Sequence, residues 1–163
     1  MRRLAAALTL VLALAFVAGL GYEAWGAISI SLTGGWSETL NASDLSGGAG
    51  SDLISTYESA VDAVSLTISG ATGGSDTWRL DVRKADATWH GDLVLSVKRT
   101  SAGSGGSVSG GSDYQLVNGV SHTFFSGAGD VSGIGVRLKL SGVSIKVPPA
   151  SYSTAVYYTV VDE

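Results

Sequence analysis

Downstream of residue 27 the chain is written in period two, and that alternation restricts it more than any other feature. Ile28, Ile30 and Leu32 alternate with Ser29, Ser31 and Thr33, and Val64, Leu66 and Ile68 share a second apolar row. Trp78, Leu80 and Val82 point one way while Arg79, Asp81 and Arg83 point the other. Leu93, Leu95 and Val97 repeat the pattern, as do Ile134, Val136, Leu138 and Leu140, then Val143, Ile145 and Val147. Successive strand residues face opposite sides of a sheet, so each run predicts a strand with one face buried. Gly34-Gly35, the 47–52 loop, Gly70 to Ser75, Gly127 to Asp130, Gly142 and Pro148-Pro149 separate the runs with turn chemistry. Neither proline can donate to a ladder, so strand pairing stops there.

About eight or nine strands at this spacing predict an all-β fold, an antiparallel β-sandwich, with a closed barrel as the alternative. Short strands without recurring aromatic girdles argue against an outer-membrane barrel. Residues 53–60 fit either a helical turn or a strand. The glycine- and serine-rich stretch Ser101 to Ser112 reads as a flexible connection. Thr123 to Phe125 reads as a short strand ended by a turn at 127–130. In the closing segment Val156, Tyr158 and Val160 oppose Ala155, Tyr157 and Val161, so both faces are apolar and cover on both sides is expected.

Upstream of this pattern, Met1-Arg2-Arg3 precedes an apolar run from Leu4 to Leu20 interrupted only by Thr9 and Gly19, and Ala24-Trp25-Gly26 offers a small-residue cleavage point before Ala27. This order predicts an N-terminal apolar signal helix, residues 1–26, removed on export, and one domain over 27–163. A retained signal anchor is the alternative, and the leader is then the only membrane contact. The 163-residue chain has a net charge of −4. Without the leader, 8 basic and 13 acidic side chains leave −5, which disfavours nucleic acid as a partner. The absence of cysteine excludes disulfides and thiolate metal sites.

Groups able to do chemistry are few. His90 and His122 are the only histidines, and Ser121 beside His122 is adjacent in sequence only, so no nucleophile, base and orienting acid can be assembled. No catalytic residue is expected. Asp44 and Asp52 flank a glycine-rich loop and Asp130 ends another, which makes them candidate calcium ligands. The same residues serve turn geometry. No other cofactor is expected. Trp78 is in register with core positions, whereas Trp36 and Trp89 sit beside turns and are candidate sugar-stacking rings. Arg79, Arg83, Lys84, Lys98 and Arg99 cluster in the sequence, with Asp81, Asp86 and Asp92 interleaved. Should their two strands form a hairpin, these cations share one wet face, either a docking patch or a solvated surface with cross-strand charge pairs.

The stretch Val147-Pro148-Pro149-Ala150-Ser151-Tyr152 followed by Ser153 to Val160 resembles the closing strand of bacterial spore-coat-U-like and archaic fimbrial subunits, with a proline turn, a tyrosine and an alternating strand. The layout from Phe125 to Leu140 is loosely similar, while the cysteines common in those subunits are absent. The resemblance implies a secreted Ig-like sandwich that polymerises into surface fibres by sharing a strand; a jelly-roll-like sandwich fits the strand pattern as well. From the residues themselves, Ile28, Ile30 and Leu32 lie on an alternating strand that cleavage would leave at the terminus, and an unpaired edge invites strand addition. The expected function is a non-enzymatic structural subunit of a cell-surface filament, matrix or coat, with copies of itself or other surface proteins as partners. The alternative is a monomeric secreted module that binds carbohydrate or a cell-wall polymer through Trp36, Trp89, Arg79, Arg83 and Lys98.

Overall fold

The computed structural model describes residues 6–8, 27–71 and 74–163. The expected leader lies outside the described residues except for Ala6–Leu8 (β1), a strand paired with Glu38–Leu40 (β3). The remaining strands are Ser29–Gly34 (β2), Thr56–Glu58 (β4), Val64–Ser69 (β5), Thr77–Thr88 (β6), Val94–Arg99 (β7), Ser104–Ser109 (β8), Gln115–Leu116 (β9), His122–Ser141 (β10) and Ser153–Asp162 (β11). Nine of them form one curled sheet in which every pairing is antiparallel. The one helical element among the described residues is a single 3-10 turn, Ala42–Asp44.

The twenty-residue β10 organises the sheet. Straight, it would span about 66 Å at the usual strand rise, far more than the roughly 14 Å radius of gyration expected for a domain of this size, so it must bend. Register shifts do the bending, between Thr123 and Phe125 against β6, Ala128 and Val131 against β8, and Val131 and Ile134 against β5. The first is a bulge that skips Phe124, and it lets two consecutive phenylalanines, 4% and 2% exposed, both enter the core. At the other two, Gly129 and Gly133 take φ of 72° and 73°, a conformation open chiefly to glycine.

These glycines, expected to close a turn at 127–130, instead kink one continuous strand. Turns and bulges demand the same backbone freedom, so composition does not separate them. Along one edge of β10 run β4, β5 and β6 in succession, and along the other run β7 and β8. The stretch expected to be a flexible connection is therefore partly strand, because β8 satisfies backbone groups that the first half of β10 would otherwise leave open.

Inward rows from β5, β6, β7, β10 and β11 meet in one core that contains Leu66, Trp78, Leu80, Val97, Phe125, Ile134, Leu138 and Val156. Trp78 is completely buried, donates its indole N–H to the Gly129 carbonyl at 2.9 Å, and lies against Gly127, its register partner. A β-carbon on Gly127 would collide with the indole ring and with the Ser107 carbonyl, so only glycine leaves room there. A second cluster, Leu40, Leu93, Leu140 and Val143, closes one end.

Two further expectations are corrected here. Residues 143–147 are a loop and not a strand, with Val143 buried and Ile145 61% exposed. On β11 only the row Thr154, Val156 and Tyr158 is buried; Ala155, Tyr157 and Val161 on the outer face are half-exposed, and the Arg83 guanidinium lies over the Tyr157 ring at 4.4 Å. The Tyr157 ring on the outer row is thus covered by a guanidinium in place of a second layer.

Candidate functional site

The expected donor strand is β2, and it lies at one end of the sheet path, hydrogen-bonded to β5 alone. Ile30 faces Ile68 and Leu32 faces Leu66 across the pair. Ile28, Ile30 and Leu32 are each partly buried against the main core, whereas their partners Leu66 and Ile68 are 0% and 1% exposed. The outward row is polar: the Ser29 and Ser69 hydroxyls meet at 3.0 Å. Beyond the strand, Gly35 donates to the Ala63 carbonyl at 2.9 Å, which fixes where β2 ends. The other edge of β2 has no ladder partner among the described residues, and it comes near β11, the opposite end of the path.

The three candidate calcium ligands are engaged with the backbone and are not brought together. Asp44 accepts the Asn41 N–H at 2.8 Å and completes a capping box on the 3-10 turn. Asp52 accepts the N–H groups of Leu53 and Ile145, each at 2.8 Å, and the Ser144 hydroxyl at 3.0 Å. The Ile145 and Leu53 amides, with Ser144 and Lys146 nearby, hold its carboxyl below the usual range. This carboxylate is what ties the 143–147 loop to the 45–53 loop. Asp130 accepts the Ala71 N–H at 2.9 Å on a different part of the sheet. Among the described residues no three His, Cys, Asp or Glu side chains form a metal-sized group.

The aromatic and cationic candidates also part company. Trp36 and Trp89 are half-buried wedges between the two core clusters, and the Trp89 indole donates to the Leu93 carbonyl at 2.8 Å while the Lys84 ammonium lies 4.8 Å from its ring. Neither ring is a free stacking platform. The hairpin that would put these cations on one face is not formed, since β6 pairs with β10 and β11 and β7 with β10 and β9. Arg79 is paired with Asp81 and Glu163 at 3.0 and 2.7 Å, and Lys84 with Asp86 at 2.5 Å. Arg99 donates to the Gly110 carbonyl. Lys98 and Lys139 have no carboxylate within ion-pair distance among the described residues, and their ammonium groups lie over the Tyr114 ring at 4.6 and 3.9 Å. Tyr114 and Lys139 carried no signal in sequence, because their proximity depends on β7 pairing with both β9 and β10.

The histidines remain apart from nucleophiles. His90 Nδ1 is 3.8 Å from Asp92, His122 Nδ1 meets the Val120 carbonyl at 3.1 Å, and neither imidazole bonds a serine hydroxyl among the described residues. A cavity of about 40 Å³ at the end cluster, lined by Leu40, Leu53, Leu93, Val143, Val147 and Tyr152, has room for little more than a water. Small-molecule sites are several times larger. Comparison with family models, curated proteins and solved structures gives no match, so a functional reading rests on the geometry of this chain.

Proposed function

We propose that this protein is a non-enzymatic structural subunit of an extracellular or cell-surface assembly, and that copies join by exchanging β2. The observation that carries the reading is the asymmetry of the β2 to β5 pair: a six-residue edge strand, bonded on one side only among the described residues, whose half-buried Ile30 and Leu32 face the fully buried Ile68 and Leu66, with Ile28 half-buried just before it. A strand held this way can leave, and its departure exposes Leu66 and Ile68 together with the unpaired backbone edge of β5. An identical strand from a second copy offers the same three side chains in the same register, so the vacated slot is self-complementary in sequence. Export by the leader and its cleavage before Ala27 belong to this reading, since a β2 free of the leader is a strand able to reach a neighbour.

The finer fold in this proposal is a sandwich of the Ig-like or jelly-roll-like kind. Its halves are the ladders β11-β6-β10-β8 and β2-β5-β10-β7-β9, joined through the bent β10. Their contribution to a common core supports it. The test is deletion of residues 27–33 followed by electron microscopy of the purified protein. Loss of assembly from a chain that keeps its β circular dichroism is the expected result; filaments or sheets indistinguishable from those of the intact chain would overturn the exchange mechanism.

A further inference from the structure

The connection between β9 and β10 holds the dipeptide Asn118-Gly119, which the assembly reading does not use. Both residues are exposed, while the chain on either side of them is pinned. The buried Val117 donates its N–H to the Leu95 carbonyl at 2.9 Å, and the Val120 carbonyl meets His122 Nδ1 at 3.1 Å. Two bonds converge on Asn118 itself. Its carboxamide oxygen accepts the Val120 N–H at 2.8 Å, an Asx-turn, and its main-chain carbonyl accepts the Lys84 N–H of β6 at 2.7 Å. The Gly119 N–H has no hydrogen-bond partner among the described residues.

These contacts prepare one group to attack and its neighbour to be attacked. The Gly119 nitrogen lies within the ring that the Asx-turn bond closes, so its approach to the Asn118 carboxamide carbon needs no diffusive search. The Val120 N–H donates to the oxygen on which negative charge develops as that carbon is attacked, the role of an oxyanion donor. The Lys84 N–H polarises the peptide group that contains the Gly119 nitrogen and makes its proton easier to lose. Glycine adds no side chain beside the attacking atom. Asn41, the only other asparagine, makes the same kind of Asx-turn bond, to the Ser43 N–H at 2.9 Å, but Ala42 follows it and sets a β-carbon beside the nitrogen that would attack.

We propose that Asn118 is a site of spontaneous deamidation, with water as the only co-reactant. A solvent base takes the Gly119 amide proton and the nitrogen bonds to the Asn118 carboxamide carbon. The bond from that carbon to Nδ2 breaks, and Nδ2 takes a proton and leaves as ammonia. Water then opens the cyclic imide at either carbonyl, giving aspartate or isoaspartate at 118. Each product adds one negative charge to a chain whose net charge is −4. In the isoaspartyl form the main chain runs through the side-chain carbons, and the carbonyl that accepts from Lys84 becomes part of a free carboxylate, so the joint between β6 and the turn changes with it. The site shares no residue with β2, so its failure and the failure of strand exchange are separate results.

Incubation of the folded, purified protein at mildly alkaline pH, followed by proteolysis and mass spectrometry of the peptides that contain Asn41 and Asn118, tests it. The Asn118 peptide should gain the mass of an amide-to-acid exchange and separate into aspartyl and isoaspartyl forms on chromatography, faster as pH rises, while the Asn41 peptide stays unchanged. Gly119→Ala should keep its β circular dichroism, because a β-carbon there meets nothing within 4 Å and Gly119 lies outside the left-handed region. This variant should slow the conversion about tenfold, equivalent to about 1.4 kcal/mol in the barrier. An Asn118 that stays an amide in the folded chain, or converts only after unfolding in urea, would overturn the proposal. So would equal rates at Asn41 and Asn118, or a Gly119→Ala rate equal to that of the parent.

Discussion

Truncating either member of the pair Ile30 and Ile68 should give unequal losses, because the two residues face each other but are not equally buried. Ile68 is 1% exposed, and its replacement by alanine removes a complete core side chain, a loss of about 2–5 kcal/mol. Ile30 is half-buried, so Ile30→Ala should cost about 1 kcal/mol, roughly half the value of a fully buried aliphatic chain. The two anchors within β2, Ile30 and Leu32, then contribute about 2 kcal/mol, and about six ladder hydrogen bonds at about 1 kcal/mol each contribute about 6 kcal/mol. Ordering six residues opposes them by about 6–12 kcal/mol. The two sides cancel to within about 4 kcal/mol, below the roughly 5–15 kcal/mol that holds a whole domain.

Local release of β2 should therefore be easier than global unfolding. Native-state hydrogen exchange followed by NMR should show the β2 amides exchanging through a sub-global opening while those of β5 and β10 exchange only with complete unfolding. Ile30→Ala should speed exchange in β2 about fivefold, the equivalent of about 1 kcal/mol. Equal losses of stability for Ile30→Ala and Ile68→Ala in urea denaturation, or β2 amides that open only globally, would refute the idea that this strand is detachable.

Two further outcomes follow from local geometry. Gly127→Ala drives a β-carbon into the Trp78 ring and the Ser107 carbonyl and should lower stability by about 1–3 kcal/mol in urea denaturation; a change within about 0.5 kcal/mol would mean that the indole does not lie on that backbone. Asp52 has a carboxyl pKa lowered in the folded chain, so its contribution is present above its unfolded value, about 4, and is lost as pH falls through the lower folded one. The Ile145 amide resonance should titrate in that acid range in the parent protein and not in Asp52→Asn, and identical profiles would show that this carboxylate does not hold the loop.

The half-buried and buried strands were legible where a clean period of two survived. β2, β5 and the first half of β6 coincide with their alternating runs, because each keeps one face on the core without interruption. β10 was not legible as one strand. Its bulges shift the period at Phe124 and again beyond Ala128, and the glycines that permit them have the composition of turns. β8 was hidden for a related reason, since Gly-Ser sequence has low intrinsic strand preference and is recruited by the open edge of β10, a tertiary effect.

At the level of sites, the donor-strand residues could be named from alternation, while the cationic face could not. Arg79 and Lys98 are 19 positions apart and belong to strands that never pair, whereas Lys98 and Lys139 are far apart in sequence and become diagonal neighbours across β7 and β10. Val143, Ile145 and Val147 show the opposite failure: a good alternation overruled by the Asp52 carboxylate, which captures the Ser144 hydroxyl and the Ile145 amide and bends the segment into a loop.

Ser29 and Ser69 allow strand exchange to be read directly. Their hydroxyls meet at 3.0 Å on the outward face of the β2 to β5 pair, and the chain has no cysteine to compete. Ser29→Cys/Ser69→Cys, assembled under reducing conditions and then oxidised, should run on a non-reducing gel as a ladder of covalently linked chains, because each β2 then lies against the β5 of a neighbour. A single monomer band with its disulfide closed within one chain, recovered from assembled material, would show that β2 never leaves home and would contradict the account.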